Sequence, residues 1–286
     1  KIIGKLHLSW QPYSIHSLVV AEDTVTLVLG HVSMSFVETG ANLCLSCSAS
    51  SQMDKKPTSI HTFKIDLESS DAKTKPIMSL ELPKEDAFFV FHYLNAQLRS
   101  DAETGSEILT LDTCAYESME GVLGDYVLGD LANTLDPTVR DTMPYNCDSL
   151  KRVQVDITNS QLLDIRDFPI VDSEGNSQYR VELASINPEY WGQSACWAYG
   201  VTYHAYASPK YDDMAVLKIN MCAEEKQQTT SLFTMKETYF GEPLFVANPS
   251  GTSEDDGVLL VVSKDGRSGD SSLLVLDASQ EELELI

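Results

Sequence analysis

Apolar and polar positions alternate along this chain in short bursts, each closed by turn residues. HSLVV (16–20) is followed by an acidic turn and TVTLVL (24–29). Then come SIHTFKI (59–65), IMSLEL (77–82), FFVFHYL (88–94) and EILTLDTCAY (107–116). After an irregular middle the bursts resume: KRVQVDI (151–157), YRVELAS (179–185), CWAYGVTYH (196–204), AVLKINMC (215–222), TTSLFTM (229–235), LFVAN (244–248), VLLVVS (258–263) and LLVLDA (273–278). Runs of this length, rich in β-branched and aromatic residues, predict strands. KDGRSG predicts a hairpin between the last two, with Asp265-Gly266 making the tight reversal. One stretch, YESMEGVLGDYVLGDLANTL (116–135), has helical character, but three glycines weaken it. Strands do not alternate with helices, which excludes a doubly wound fold and leaves an all-β sandwich, barrel or propeller. No crisp repeat of about 40–50 residues is visible, so a propeller here is an irregular one. No linker composition interrupts the chain, which reads as one domain over 1–286.

Composition narrows the function. With 286 residues and 43% hydrophobic content, a sizeable core is available. No apolar run is long enough for a transmembrane helix. Asp plus Glu number 43 against 20 Lys plus Arg, a formal charge of -23, which argues against nucleic acid or anionic lipid as a main partner. The six cysteines are irregularly spaced and no N-x-[ST] site occurs, so reduced thiols are expected. Cys44-x-x-Cys47 has no second pair with which to build a zinc ribbon. SEDDG (253–257) lacks calcium-loop spacing and reads as a polar turn. The phosphate-, dinucleotide-, zincin- and serine-hydrolase motifs are all missing. The chain opens on Lys1 and stops at LELI in mid-pattern, as a piece of a longer protein would.

The histidines remain: His7, His16, His31, His61, His92 and His204. His16 in PYSIHSLVV and His92 in FFVFHYLNA interrupt apolar strands. A buried imidazole needs a partner for each ring nitrogen, so each is either a satisfied core histidine or a metal ligand. His61 and His204 lie at strand ends and read as structural; His7 and His31 read as solvent-facing. Glu182 in YRVELAS and Glu242 before Pro243 are carboxylates in apolar surroundings. Each either faces water or accepts an imidazole N–H, which would fix the tautomer and free the other nitrogen for a metal. Two histidines and two glutamates could thus form inner and outer shells of one site.

At these residues the sequence resembles the carotenoid cleavage oxygenases, which include the retinoid isomerohydrolases. PYSIHSLVV is similar to the family's tyrosine-x-x-His-Ser segment, and FFVFHYLNAQ to its Phe-His-His-x-Asn segment. VELASINPEYWGQSACWAYGV resembles the glutamate-bearing strand with its Ile-Asn turn and Tyr-Gly strand. GEPLFVANPSGTSEDDGVLLVVSKDGRSGDSSLLVLDA resembles the family signatures almost throughout. The resemblance spans Pro12 to Ala278.

The resemblance implies a seven-bladed β-propeller, here an incomplete set of blades lacking the N-terminal and extreme C-terminal parts. It implies a mononuclear Fe(2+) on the axis, held by four histidines that three glutamates orient. His16 and His92 match two metal ligands, and Glu182 and Glu242 match two of the glutamates. Glu182 is then expected to hold His92, and Glu242 a histidine beyond Ile286. The other two ligands and the first glutamate fall outside the chain, so the fragment by itself is expected to be inactive. Tyr93 stands where many members have a second, non-ligand histidine, and Ala96-Gln97-Leu98 replace acidic residues.

The implied activity is oxidative cleavage of one double bond of a carotenoid or apocarotenoid by dioxygen, giving two carbonyl products. Substrate binding would rest on apolar burial at about 25 cal/mol per Å², with Phe88, Phe89, Tyr93, Trp191 and Trp197 as candidate tunnel walls or plain core. The family also implies peripheral membrane contact, with 31–47 as the mildly apolar region for it, and no nucleic acid. Cytoplasm and plastid are both compatible compartments. The alternatives are a related isomerohydrolase or stilbene-cleaving oxygenase, and a non-catalytic β-propeller binding module.

Overall fold

A computed structural model describes residues 15–30, 57–65, 75–116, 150–170, 179–204, 214–224 and 230–286. Among these, the regular elements are strands apart from two single-turn 3-10 segments, Lys84–Asp86 and Pro188–Tyr190. The helical candidate beyond Tyr116, the region 31–47, His7, His31 and the Cys44-x-x-Cys47 pair lie outside the described residues.

The described strands form four antiparallel sheets. Sheet one is β1 (Val19–Ala21), β2 (Thr24–Leu29), β3 (Ser59–Lys64) and β4 (Met78–Glu81) in that order. Sheet two is β5 (Phe89–Ser100), β6 (Glu107–Tyr116), β7 (Leu150–Asp156) and β8 (Gln161–Phe168). Sheet three is β9 (Tyr179–Ser185), β10 (Trp197–His204), β11 (Met214–Asn220) and β12 (Thr230–Thr234). Sheet four holds β13 (Thr238–Phe240), β14 (Leu244–Ala247), β15 (Gly257–Asp265), β16 (Ser271–Asp277) and β17 (Glu284–Leu285), with β13 and β14 both paired to β15. Sequential antiparallel order of about four strands is the repeating unit of a propeller blade.

The chain divides into two compact units, 1–147 with 151–166 and 148–150 with 167–286. The first contains sheet one and nearly all of sheet two; the second contains sheets three and four. Each has its own core. In the first, Ile60, Leu109, Leu111, Val153 and Val155 pack together, fully buried. In the second, Tyr199, Val216, Leu259, Val261 and Leu276 do the same. Period-two alternation supplies these faces: in β15, Leu259 and Val261 point in while Val262 points out.

Polar contacts fasten strands and sheets within each unit. Thr58 Oγ1 donates to Phe88 O at 2.6 Å and accepts from Phe88 N at 2.8 Å, fixing the start of β3 against the entry to β5. Between β6 and β7, Arg152 binds Asp112 through two hydrogen bonds of 2.6 and 3.0 Å. Burial pushes the Asp112 carboxyl up, and the guanidinium opposes it.

In the second unit Lys218, only 1% exposed, donates to Asp255 Oδ2 at 2.7 Å, Ala278 O at 2.7 Å and Gln280 O at 2.8 Å. An ammonium has three N–H donors, and all three are used. Its charge also lies 4.1 Å from the centre of the Trp197 ring. The neighbouring Glu254 accepts from Cys196 N and Trp197 N at 2.8–3.0 Å. SEDDG is therefore a polar turn, and also the clasp between sheets three and four.

Two expectations need correction. Cys196 and Cys222 form a disulfide with Cα atoms 4.9 Å apart, so the thiols are not all reduced. Antiparallel pairing of Trp197 with Asn220 places these flanking cysteines side by side, and irregular linear spacing cannot reveal that. The β15–β16 hairpin does not turn on Asp265-Gly266 alone. Asp265 Oδ1 accepts from Arg267 N and Ser268 N, and the left-handed residue is Gly269, with φ +77°. The result is a five-residue loop rather than a tight reversal.

Replacing Arg152 by Met should cost about 3–5 kcal/mol in urea unfolding at neutral pH, because it strands a buried carboxylate. The double variant D112L/R152M should cost less than R152M alone. Since an unpaired buried carboxyl resists ionisation, the R152M deficit should shrink as pH falls.

Four other aspartates, Asp101, Asp156, Asp265 and Asp277, are held below the usual carboxylate range. The hydrogen-bond donors responsible are led by Thr104 N, the Asn159 side chain, Ser268 N and the Ser279 hydroxyl. A depressed folded value adds stability above the unfolded value of about 3.9, and that stability is lost as pH falls through the folded value. These four groups add no pH dependence between about pH 7 and 5, and their protonation should make the urea midpoint drop below about pH 4.

Candidate metal centre

His16 lies in the extended segment leading into β1, and His92 lies on β5. Their ring centroids are 5.0 Å apart with planes at 88°. His16 is exposed and His92 half-buried. Two contacts of the intervening backbone create this approach. The hydroxyl of Ser17 donates to Phe91 O, so the residue after His16 is tied to the residue before His92. Val28 N donates to the Tyr93 hydroxyl at 2.9 Å, tying β2 to the residue after His92. Burial drives the Tyr93 phenol well above its ordinary range, so it stays a neutral acceptor.

The strand itself is irregular here. Val90 pairs with Ala115 and His92 with Cys114, leaving Phe91 as an extra residue; a second shift lies between Tyr93 and Asn95. In a regular strand, Phe91 and His92 would point to opposite faces. With the bulge, both rings approach His16, Phe91 at 5.2 Å edge-on and His92 at 5.0 Å. Phe91 is held in turn by edge contacts to Phe89 at 4.8 Å and Tyr116 at 5.3 Å. Bulges commonly re-aim side chains beside functional sites.

The two glutamates lie in the second unit. Glu182 is half-buried on β9, and its Oε2 accepts from Leu183 N at 3.0 Å. A register shift opposite it, between Tyr199 and Val201, marks another bulge. Glu242 is exposed in the gap between β13 and β14, where Pro243 has no N–H to give to the ladder. The Ser185 hydroxyl donates to Pro243 O at 2.7 Å, so the strand bearing Glu182 is tied to the break bearing Glu242. The four residues thus form two groups, one in each unit.

Other candidates fall out as structural. His61 sits between hydroxyls, with Nδ1 2.9 Å from Ser79 Oγ and Nε2 3.1 Å from Ser59 Oγ; burial lowers its pKa. Phe88 and Phe89 are buried core, Trp197 lies under Lys218, and Trp191 is 65% exposed. The contributions of Phe91 and Ser17 had no sequence signal. The bulge at Glu182 had one, a glycine inside the opposing strand (Gly200).

Two imidazole nitrogens at about 2 Å from one ion leave ring centres roughly 5 Å apart when they are adjacent ligands. His16 and His92 therefore fit part of an imidazole donor set. Among the described residues, no cluster of three or more His, Cys, Asp or Glu side chains is placed to hold a metal ion.

Comparison with known proteins places the chain. Residues 3–284 match the family described as retinal pigment epithelial membrane protein, and the chain belongs to that family, the carotenoid oxygenases. It is 26% identical to carotenoid cleavage dioxygenase 8 homolog B, chloroplastic, of Oryza sativa subsp. japonica, over 78% of this chain and 37% of that protein. It is 22% identical to carotenoid cleavage dioxygenase 8, chloroplastic, of Arabidopsis thaliana, over 99% of this chain and 46% of that one. With the apocarotenoid-15,15'-oxygenase of Synechocystis it shares 29% identity over 67% of this chain and 34% of the relative. Among solved structures, a cobalt-substituted Synechocystis ACO superposes with TM-score 0.65 at 20% identity, covering 96% of this chain and 53% of the other. The fold is accordingly an all-β propeller of the carotenoid oxygenase type with an incomplete set of blades. The chain spans at most about half the length of these relatives.

Replacing Tyr93 by Phe should lower stability by about 1–2 kcal/mol in urea unfolding, because Val28 N–H loses its buried acceptor. A cross-relaxation contact between the His16 and His92 ring protons should weaken in the same variant.

Proposed function

We propose that residues 1–286 are one partial propeller domain of an Fe(2+)-dependent dioxygenase that cleaves a carbon-carbon double bond of a carotenoid or apocarotenoid, giving carbonyl products. The observation that carries this is the approach of His16 and His92, made by a bulge on β5, in a chain of the carotenoid oxygenase family. His16 and His92 would hold the metal. A ferrous ion bound there would supply activation of dioxygen. Glu182 and Glu242 accept imidazole N–H groups of the ligand set, fixing tautomer and ring direction. Phe91 packs edge-on against the His16 ring, with centroids 5.2 Å apart. A substrate without charge is in accord with a chain of net charge -23. The plant relatives are named as chloroplastic, which favours a plastid compartment. Peripheral contact with a membrane would bring the substrate to the protein; no described helix is long and apolar enough to cross one.

The experiment is aerobic turnover of carotenoid and apocarotenoid substrates by the full-length protein in labelled dioxygen, with iron quantified. Both carbonyl products should carry label, and H92A should lose iron and at least about a hundredfold in rate. Products free of dioxygen-derived label, with an ester cleaved and a double bond changed from trans to cis, would indicate isomerohydrolase chemistry. Iron-free protein without turnover would leave a binding module.

A further inference from the structure

The strand that carries Glu182 departs from β geometry at its next residue. Leu183 has φ +52°, a left-handed conformation that is uncommon and disfavoured outside glycine. Across the ladder Tyr199 faces Ser185 and Val201 faces Glu182, so Leu183 and Ala184 share Gly200 as their one opposite residue. Gly200 has no room for more: a Cβ there would stand 2.7 Å from Val181 Cγ2. Strict alternation from the buried Val181 would bury Leu183 and expose Ala184. The bulge inverts this, leaving Leu183 39% exposed and Ala184 buried. An exposed leucine in a strained conformation gains little from packing, so core formation does not explain it. The same turn of the backbone aims the Leu183 amide at Glu182 Oε2, 3.0 Å away.

We propose that Leu183 is a positioning residue whose left-handed bulge sets the direction of the Glu182 carboxylate. The inference rests on the role given to Glu182 above.

The test is cobalt(II) titration of the full-length protein by visible absorption, with urea midpoints measured alongside, for E182Q, L183V, L183G, L183N and E182Q/L183V. Valine is β-branched and resists the left-handed region, whereas glycine and asparagine accept it. L183V and E182Q should each weaken cobalt binding about tenfold or more, the double variant should bind no more weakly than E182Q, and L183G and L183N should bind as the parent does. Parent-like binding by L183V alongside weak binding by E182Q would overturn the role of Leu183 and leave that of Glu182 standing. So would additive losses in the double variant, which would make the bulge merely structural. Parent-like binding by E182Q would overturn the role of Glu182 and this inference with it.

Discussion

The candidate site depends on one extra residue in a strand. β5 cannot present Phe91 and His92 to the same neighbour while it remains regular, because successive side chains point to opposite faces. The bulge at Phe91 suspends that rule locally. The Ser17 and Tyr93 hydrogen bonds then fix sheet one against the irregular stretch on either side of the histidine. Without the bulge, either the aromatic cluster of Phe89, Phe91 and Tyr116 or the imidazole pair would be lost.

The second unit solves a different problem, the placement of charge in a very acidic chain. Many of its carboxylates are structural. Glu254 and Asp255 take up backbone N–H groups and a buried ammonium; Asp265 and Asp277 close turns by accepting local donors. Asp265 and Asp277 are held by donors that favour the ionised form. The acidity is thus part of the architecture, and its bearing on partners is only one of its consequences. The Lys218 cluster is self-contained, with every donor matched, which is the condition for a buried charge to be tolerated.

Most strands were legible because alternation survives wherever one face is buried; TVTLVL, EILTLDTCAY and YRVELAS match their elements end to end. β8, QLLDIRDF, was not seen because its exposed residues and charges give no apolar face to read. β13 and β17 were too short. His16 and His92 stood out as polar residues in apolar runs, and the family motifs around them supplied the metal reading. Their approach depends on a register shift, and no periodicity in the sequence of β5 encodes it. Glu182 was legible as a carboxylate in a strand, and Gly200 hinted at the bulge opposite. The Cys196–Cys222 bridge required the β10–β11 register, which only pairing reveals.

The central claim is that His16 and His92 bind the same ion. X-ray absorption at the iron edge of the full-length protein counts imidazole nitrogens around the metal directly. The account predicts that H16A and H92A each remove one imidazole from the shell and that the double variant removes two. An iron shell unchanged in either single variant would contradict it.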